Sequence, residues 1–172
     1  KRYKIPSGEV TNIPMLEYIA QLKKPVLLSS GMSDWEELDR AVETIKKHHA
    51  DVTILQCTSA YPCSPEDAGL NVINEMQKRY NAPVGLSDHT LGMGIPVAAA
   101  ALGATVIEKH LTPSKKLYGS DAKHSMEPTE FTQMVAAIRE VEASLNNPVD
   151  KSDVSHLKEM KESPYARLYN HT

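Results

Sequence analysis

Short apolar runs alternate with helix-sized amphipathic stretches along most of the chain. Five segments share one design, an apolar run of three to five residues that ends in polar, chemically capable side chains. They are Tyr-Lys-Ile-Pro-Ser-Gly-Glu (3–9), Val-Leu-Leu-Ser-Ser-Gly-Met (26–32), Val-Thr-Ile-Leu-Gln-Cys-Thr-Ser (52–59), Val-Gly-Leu-Ser-Asp-His (84–89) and Thr-Val-Ile-Glu-Lys-His (105–110). Their apolar starts are β-rich and lack helical periodicity, which suits strands buried on both faces.

Between them lie segments with helix signals. Ser33-Asp34-Trp35-Glu36 reads as a capping box, with Leu38, Val42 and Ile45 following at helical spacing. Ser64-Pro65-Glu66-Asp67 offers an N-cap serine, a first-turn proline and acids at the positive end of the helix dipole. Residues 96–103 are Ala-rich, stop at Gly103 and suit a helix packed closely on a sheet. From Thr129 to Leu145, Phe131, Met134, Val135, Ile138, Val141 and Leu145 form one apolar stripe. Residues 14–22 give a weaker helical pattern, and the polar tail from Asn146 holds one short helix over 154–160.

Repeated β-α units of this kind predict an all-parallel α/β architecture. One step averages about 25 residues between Lys4 and Thr105, so eight would occupy roughly 200 residues, the lower end for a (β/α)₈ barrel. A doubly wound open sheet is the alternative, but the Gly-rich phosphate turn that usually follows its first strand is missing. The expectation is an α/β fold, a partial (β/α)₈ TIM barrel of five parallel strands over residues 1–145, with 146–172 as a polar tail or linker.

Composition removes several function classes. The chain has 172 residues, 41% hydrophobic and 24% charged, with a net charge of −3; this is a globular balance without a polybasic surface for nucleic acid or membrane. The longest apolar stretch, Val97–Leu102, falls far short of the roughly 20 residues of a membrane span. The start Lys-Arg-Tyr-Lys has no signal-peptide pattern and reads as beginning within a domain. Cys57 and Cys63 form no metal or redox motif, which suits a reduced, cytoplasmic protein.

The candidate chemistry lies at the strand ends, because βα-loops gather on that face in parallel α/β folds. Lys4, Ser7 and Glu9 follow the first strand, Ser29 and Ser30 the second, Thr58 and Ser59 the third. Ser87, Asp88 and His89 follow the fourth, and Glu108, Lys109 and His110 the fifth. His89 and His110 leave equivalent ends of consecutive strands, which lie about 4.8 Å apart when neighbours. Two such imidazoles can share one metal ion or remain two hydrogen-bonded histidines, and Asp88 and Glu108 stand beside them as orienting groups or extra ligands. Lys4 with Ser7, Ser29, Ser59 and Ser87 suits a phosphate or other oxyanion. Asp121, on the Gly-containing loop after the fifth strand, suits either a bond to a polyol or a turn aspartate. His48, His49, His156 and His171, on a helix end or in the tail, read as solvated.

The motifs K-I-P-S-G-E-V-T-N (4–12), L-S-S-G-M (28–32), L-Q-C-T-S-A-Y-P (55–62), G-L-S-D-H-T-L-G (85–92), A-L-G-A-T-V-I-E-K-H-L-T (101–112) and G-S-D…S-M-E-P (119–128) resemble the sialic acid synthase (N-acetylneuraminate synthase) family, in order from Lys4 to Leu145. The resemblance implies a TIM barrel followed by a small antifreeze-like domain, the five strands here matching the fourth to eighth, with the first three strands and the C-terminal domain absent. It implies a homodimeric enzyme that condenses phosphoenolpyruvate with an N-acetylmannosamine-type aldose, giving a nine-carbon 2-keto-3-deoxy acid and phosphate. The implied cofactor is a divalent metal, Mn²⁺ first, with Mg²⁺ or Co²⁺ as alternatives. By this resemblance Lys4, Ser7, Ser29, Ser59 and Ser87 hold phosphoenolpyruvate, His89 and His110 hold the metal, and Glu9, Tyr61 and Asp121 line the sugar pocket. Lys4 and Glu108 are the catalytic candidates. The loop departs from the family pattern at Ala122, which follows Asp121, with His124 two positions beyond. A legionaminic or pseudaminic acid synthase, or a non-catalytic piece that binds only phosphate or metal, is the alternative.

Overall fold

Consecutive strands are neighbours in space, as the β-α alternation requires. The computed structural model describes residues 1–48 and 51–163. In it β1 (Tyr3–Ile5), β2 (Val26–Ser29), β3 (Val52–Cys57), β4 (Val84–Asp88) and β5 (Ile107–Lys109) form one parallel sheet in the order β1-β2-β3-β4-β5. The connecting helices are α1 (Ile13–Gln21), α2 (Trp35–His48), α3 (Leu70–Tyr80) and α4 (Gly94–Ala101), with α5 (Pro128–Asn146) and α6 (Lys158–Glu162) after β5.

Strand alternation sorts the side chains into two faces. Val26, Leu28, Val52, Ile54, Val84 and Leu86 pack against the helices, where Leu16, Leu38, Ile45, Ile73 and Met76 complete the main core. The opposite phase carries Lys4, Ser29, Cys57, Ser87 and Glu108 onto the other face. That face is concave. Lys4 on β1 reaches Glu108 on β5 at 2.7 Å, although four strand spacings in a flat sheet would hold their backbones about 19 Å apart. The sheet therefore curls into a half-barrel, bringing its outer strands within reach across the lumen.

Local chemistry explains where the helices differ from the sequence expectation. The capping box lies one residue later than Ser33–Glu36: Asp34 Oδ1 accepts the Glu37 N–H at 2.9 Å, and the Glu37 carboxylate accepts the Asp34 N–H at 3.3 Å. Ser33 is occupied in the turn leaving β2, its N–H bonded to the Ser30 carbonyl. The start predicted at Ser64 gives only a 3₁₀ turn over Pro65–Asp67, because Gly69 takes φ +67° and restarts the chain as α3 at Leu70. A Cβ at Gly69 would also lie 2.5 Å from Gln56 Nε2, so glycine is required there. The small faces of α4 lie on the core through Ala99, while Ala100 meets Met126, Met134 and Ile138 in a second cluster under α5.

The chain divides into compact units at 1–142 and 143–172. The described part of the second holds the end of α5, a 3₁₀ turn at Ser155–Leu157 and α6. The helix expected over 154–160 is thus split into a turn and a later, shorter helix, and residues 164–172 of the expected tail lie outside the described residues. His49 and His171 also lie outside them, and His48 is half-buried at the end of α2. Among the described residues, no helix is long and apolar enough to cross a membrane.

Candidate active site

The register of the sheet fixes which strand ends meet. Cys57 pairs with Ser87 and Ser87 with Glu108 in one row across β3, β4 and β5. Ser29, on β2, lies one inward-facing row earlier along the strands, level with Leu55. Loops above these rows add Ser7, Ser59, Tyr61, His89 and His110, and together they line an open pocket of about 450 Å³ on the concave face. The polar groups predicted from separate strand ends thus surround one space.

At one side of it the serines crowd around Gly31. The Ser7 hydroxyl accepts the Gly31 N–H at 2.9 Å and donates to Cys57 Sγ at 3.6 Å. A Cβ on Gly31 would stand 2.4 Å from Ser59 Oγ, 2.7 Å from Ser7 Oγ and 2.9 Å from Cys57 Sγ. Only a glycine allows those three side chains to approach the backbone so closely. Ser29 is 2% exposed and its hydroxyl has no partner among the described residues. A buried polar group of this kind is costly unless something bonds it. The arrangement suits an oxyanion.

Lys4 and Glu108 close the opposite side. Glu108 Oε1 accepts from Lys4 Nζ and from Ser87 Oγ, both at 2.7 Å. Burial alone would raise the Glu108 carboxyl, but the Lys4 and Ser87 bonds outweigh it and hold the group below its ordinary value. The Lys4 ammonium has three N–H donors and spends one on Glu108, which leaves donors for an anion.

The two imidazoles stand 5.3 Å apart, centroid to centroid, at 77°. Tyr61 packs against His89 at 4.2 Å with the rings tilted by 40°, and meets His110 edge-on at 5.9 Å. His89 Nδ1 lies 2.8 Å from the Thr58 carbonyl oxygen, which selects the Nδ1–H tautomer and leaves the lone pair on Nε2. Burial works against protonation of His89, but its interactions with Cys57 and the Thr58 carbonyl prevail and raise its pKa above the ordinary value. Cys57 moves the opposite way. Burial would raise its thiol, and its bonds with His89 and Ser7 hold it below the usual range. Among the described residues no cluster of three or more His, Cys, Asp or Glu is placed to hold a metal, so His89 and His110 offer a pair of nitrogen donors beside an open pocket.

Three carboxylates fall elsewhere. Glu9 is bonded to Asn12 Nδ2 at 2.8 Å on the turn after Ser7 and is not among the pocket-lining residues. Asp121 Oδ2 lies 3.8 Å from His110 Nδ1, and its side chain is 59% exposed at the rim. Asp88 makes no hydrogen bond to either imidazole. It points to the other face of β4, where it pairs with Lys109. One pocket residue, Cys57, and the glycine packed beneath the serines, Gly31, escaped the sequence reading. Cys57 was readable by counting in twos along β3 from Leu55, and Gly31 by its place directly after two serines at a strand end.

The chain matches the NeuB family over residues 1–150. It is 41% identical over 162 residues to an N,N'-diacetyllegionaminic acid synthase of Legionella pneumophila, covering 91% of this chain and 46% of that one. It is 40% identical over 166 residues to a pseudaminic acid synthase of Campylobacter jejuni, covering 96% and 48%. An N-acetylneuraminic acid (sialic acid) synthetase from Leptospira borgpetersenii, solved in complex with citrate, superposes with a TM-score of 0.84 at 33% identity, over 99% of this chain and 59% of that one. The chain spans about half the length of the curated relatives it matches. With the half-barrel, the serines and the paired histidines around one pocket, and the family match over residues 1–150, this chain belongs to the NeuB family.

Proposed function

We propose that the chain carries the phosphoenolpyruvate- and metal-binding side of a sialic-acid-type synthase. The reaction joins the enol carbon of phosphoenolpyruvate to the aldehyde carbon of an N-acetylmannosamine-type acceptor. Water then adds at C2 and phosphate leaves, giving a nine-carbon 2-keto-3-deoxy acid. The observation that carries this reading is one pocket lined by Ser7, Ser29, Ser59 and Ser87, with the buried Ser29 hydroxyl lacking a partner among the described residues, together with the Lys4 ammonium and the histidine pair.

Ser7, Ser29, Ser59, Ser87 and Lys4 would hold the anionic groups of phosphoenolpyruvate and fix its face toward the acceptor, and orientation alone can lower a barrier by several kcal/mol. Glu108 would keep Lys4 at the lumen and accept the Ser87 hydroxyl. His89 and His110 would hold a divalent ion, Mn²⁺ by preference, with water and substrate oxygens as its other ligands. When bound, that ion supplies Lewis acidity to the acceptor's carbonyl oxygen. Tyr61 and Asp121 at the rim would contact the sugar. The relatives' names cover legionaminic and pseudaminic acid synthases, so the acceptor is best described as an N-acylated amino sugar.

The test is calorimetric titration of phosphoenolpyruvate into the chain and into Lys4→Ala. Charge-assisted hydrogen bonds are worth about 1.5–3 kcal/mol, so the variant should bind about tenfold more weakly or worse. Unchanged affinity would remove Lys4 and the cradle from the assignment.

A further inference from the structure

The residues that immediately precede the two histidines form a buried ion pair on the other face of the sheet. Asp88 and Lys109 are register partners across β4 and β5, one residue before His89 and His110 respectively. Both side chains are 2% exposed. Asp88 Oδ1 accepts the Thr90 N–H at 3.0 Å, and Oδ2 accepts the Thr90 hydroxyl at 2.9 Å as well as Lys109 Nζ. Lys109 Nζ donates in addition to the carbonyls of Thr90 and Gly92, the latter at 3.2 Å. All three ammonium protons are therefore committed. Two of them bind the loop that leaves His89.

A buried pair is a poor source of net stability, because desolvation offsets most of the attraction. This one has another consequence. It joins the ends of the two strands at the last residue before each imidazole and ties down the residues just beyond His89. From the outside, the His89 carbonyl accepts the Cys63 N–H at 2.9 Å and the His110 carbonyl accepts the Met126 N–H at 2.9 Å. We propose that Asp88 and Lys109 are positioning residues for the His89–His110 pair, setting the separation of the two imidazoles and hence the affinity for a divalent ion. The ion-binding half of this inference rests on the function proposed above, and the spacing half does not.

The experiment follows Lys109→Met, with Asp88→Leu/Lys109→Met alongside it as the variant free of an unpaired buried charge. Three quantities are read in each protein: Mn²⁺ uptake by electron paramagnetic resonance, phosphoenolpyruvate affinity by calorimetry, and the nuclear Overhauser effect between the His89 and His110 ring protons. Loss of groups that orient metal ligands typically weakens binding about 10–100-fold. That loss is expected for Mn²⁺ in a variant with native circular dichroism, with phosphoenolpyruvate affinity held within about twofold and the inter-imidazole effect diminished. Wild-type Mn²⁺ affinity and an unchanged ring–ring effect in the double variant would overturn the proposal. So would an equal loss of both ligands, since that marks general loosening. A wild-type chain that takes up no Mn²⁺ refutes the metal assignment itself, and the ring–ring effect in the variants still decides the positioning role.

Discussion

His89 is held in two ways that pull on different properties. The Thr58 carbonyl fixes its tautomer at 2.8 Å, while Cys57 and that same carbonyl, against the effect of burial, raise its pKa above 6.5. A histidine that ligates a metal must be neutral, so in the proposed site a proton and a divalent ion would compete for this ring. Because the pKa is raised, the protonated form persists to higher pH than in a free histidine. Mn²⁺ affinity should therefore still be rising above pH 6.5, and should fall about tenfold for each unit below the His89 pKa. Cys57→Ala removes one of the groups that favour the imidazolium, so it should move the whole profile to lower pH. Mn²⁺ titrations from about pH 5.5 to about 8.5 read both effects. A flat profile would show that His89 is not a ligand.

At the scale of elements, α2 shows how a local signal is read with a small offset. Its cap is Asp34 with Glu37, and its buried face is Leu38, Ala41, Val42 and Ile45. Asp34→Ala removes the side-chain acceptor and should cost about 1 kcal/mol, seen as a lower urea midpoint with an unchanged slope; Ser33→Ala should leave the midpoint in place. The strands were legible because a parallel strand buried on both faces is a short apolar run with no period to confuse it. Helix starts were less so. Ser64-Pro65 has every local feature of a start, yet α3 waits for Leu70, since a glycine backbone at φ +67° is a tertiary requirement set by Gln56. The site divides the same way. Serines and histidines at strand ends share one mouth in any parallel fold, so Ser7, Ser29, Ser59, Ser87, His89 and His110 were readable. The Lys4–Glu108 bond joins residues 104 apart and depends on how far the sheet curls. The placement of Glu9 depends on one side-chain bond to Asn12, which no spacing encodes.

For the whole molecule the deciding quantity is how much of the lumen five strands enclose. Among the described residues β1 pairs only with β2 and β5 only with β4, so both outer strands present open edges, where a complete barrel has none. The pocket that holds Lys4, the serines and the histidines is correspondingly open to water. Water in the site weakens each electrostatic contact and relaxes the alignment of two substrates, the terms on which the proposed condensation would depend. Binding is less affected, since the cradle is built from consecutive strands. The 172-residue chain by itself should therefore bind phosphoenolpyruvate while releasing phosphate near the background rate. The assay is phosphate release dependent on both N-acetylmannosamine and Mn²⁺, run beside a full-length NeuB family enzyme at matched concentration. Light scattering on the same sample reports self-association through the open edges, which would close the lumen by another route. Turnover comparable to the full-length enzyme from a monomeric sample would show that five strands suffice to order the reacting groups, and that the open lumen is no obstacle to the chemistry.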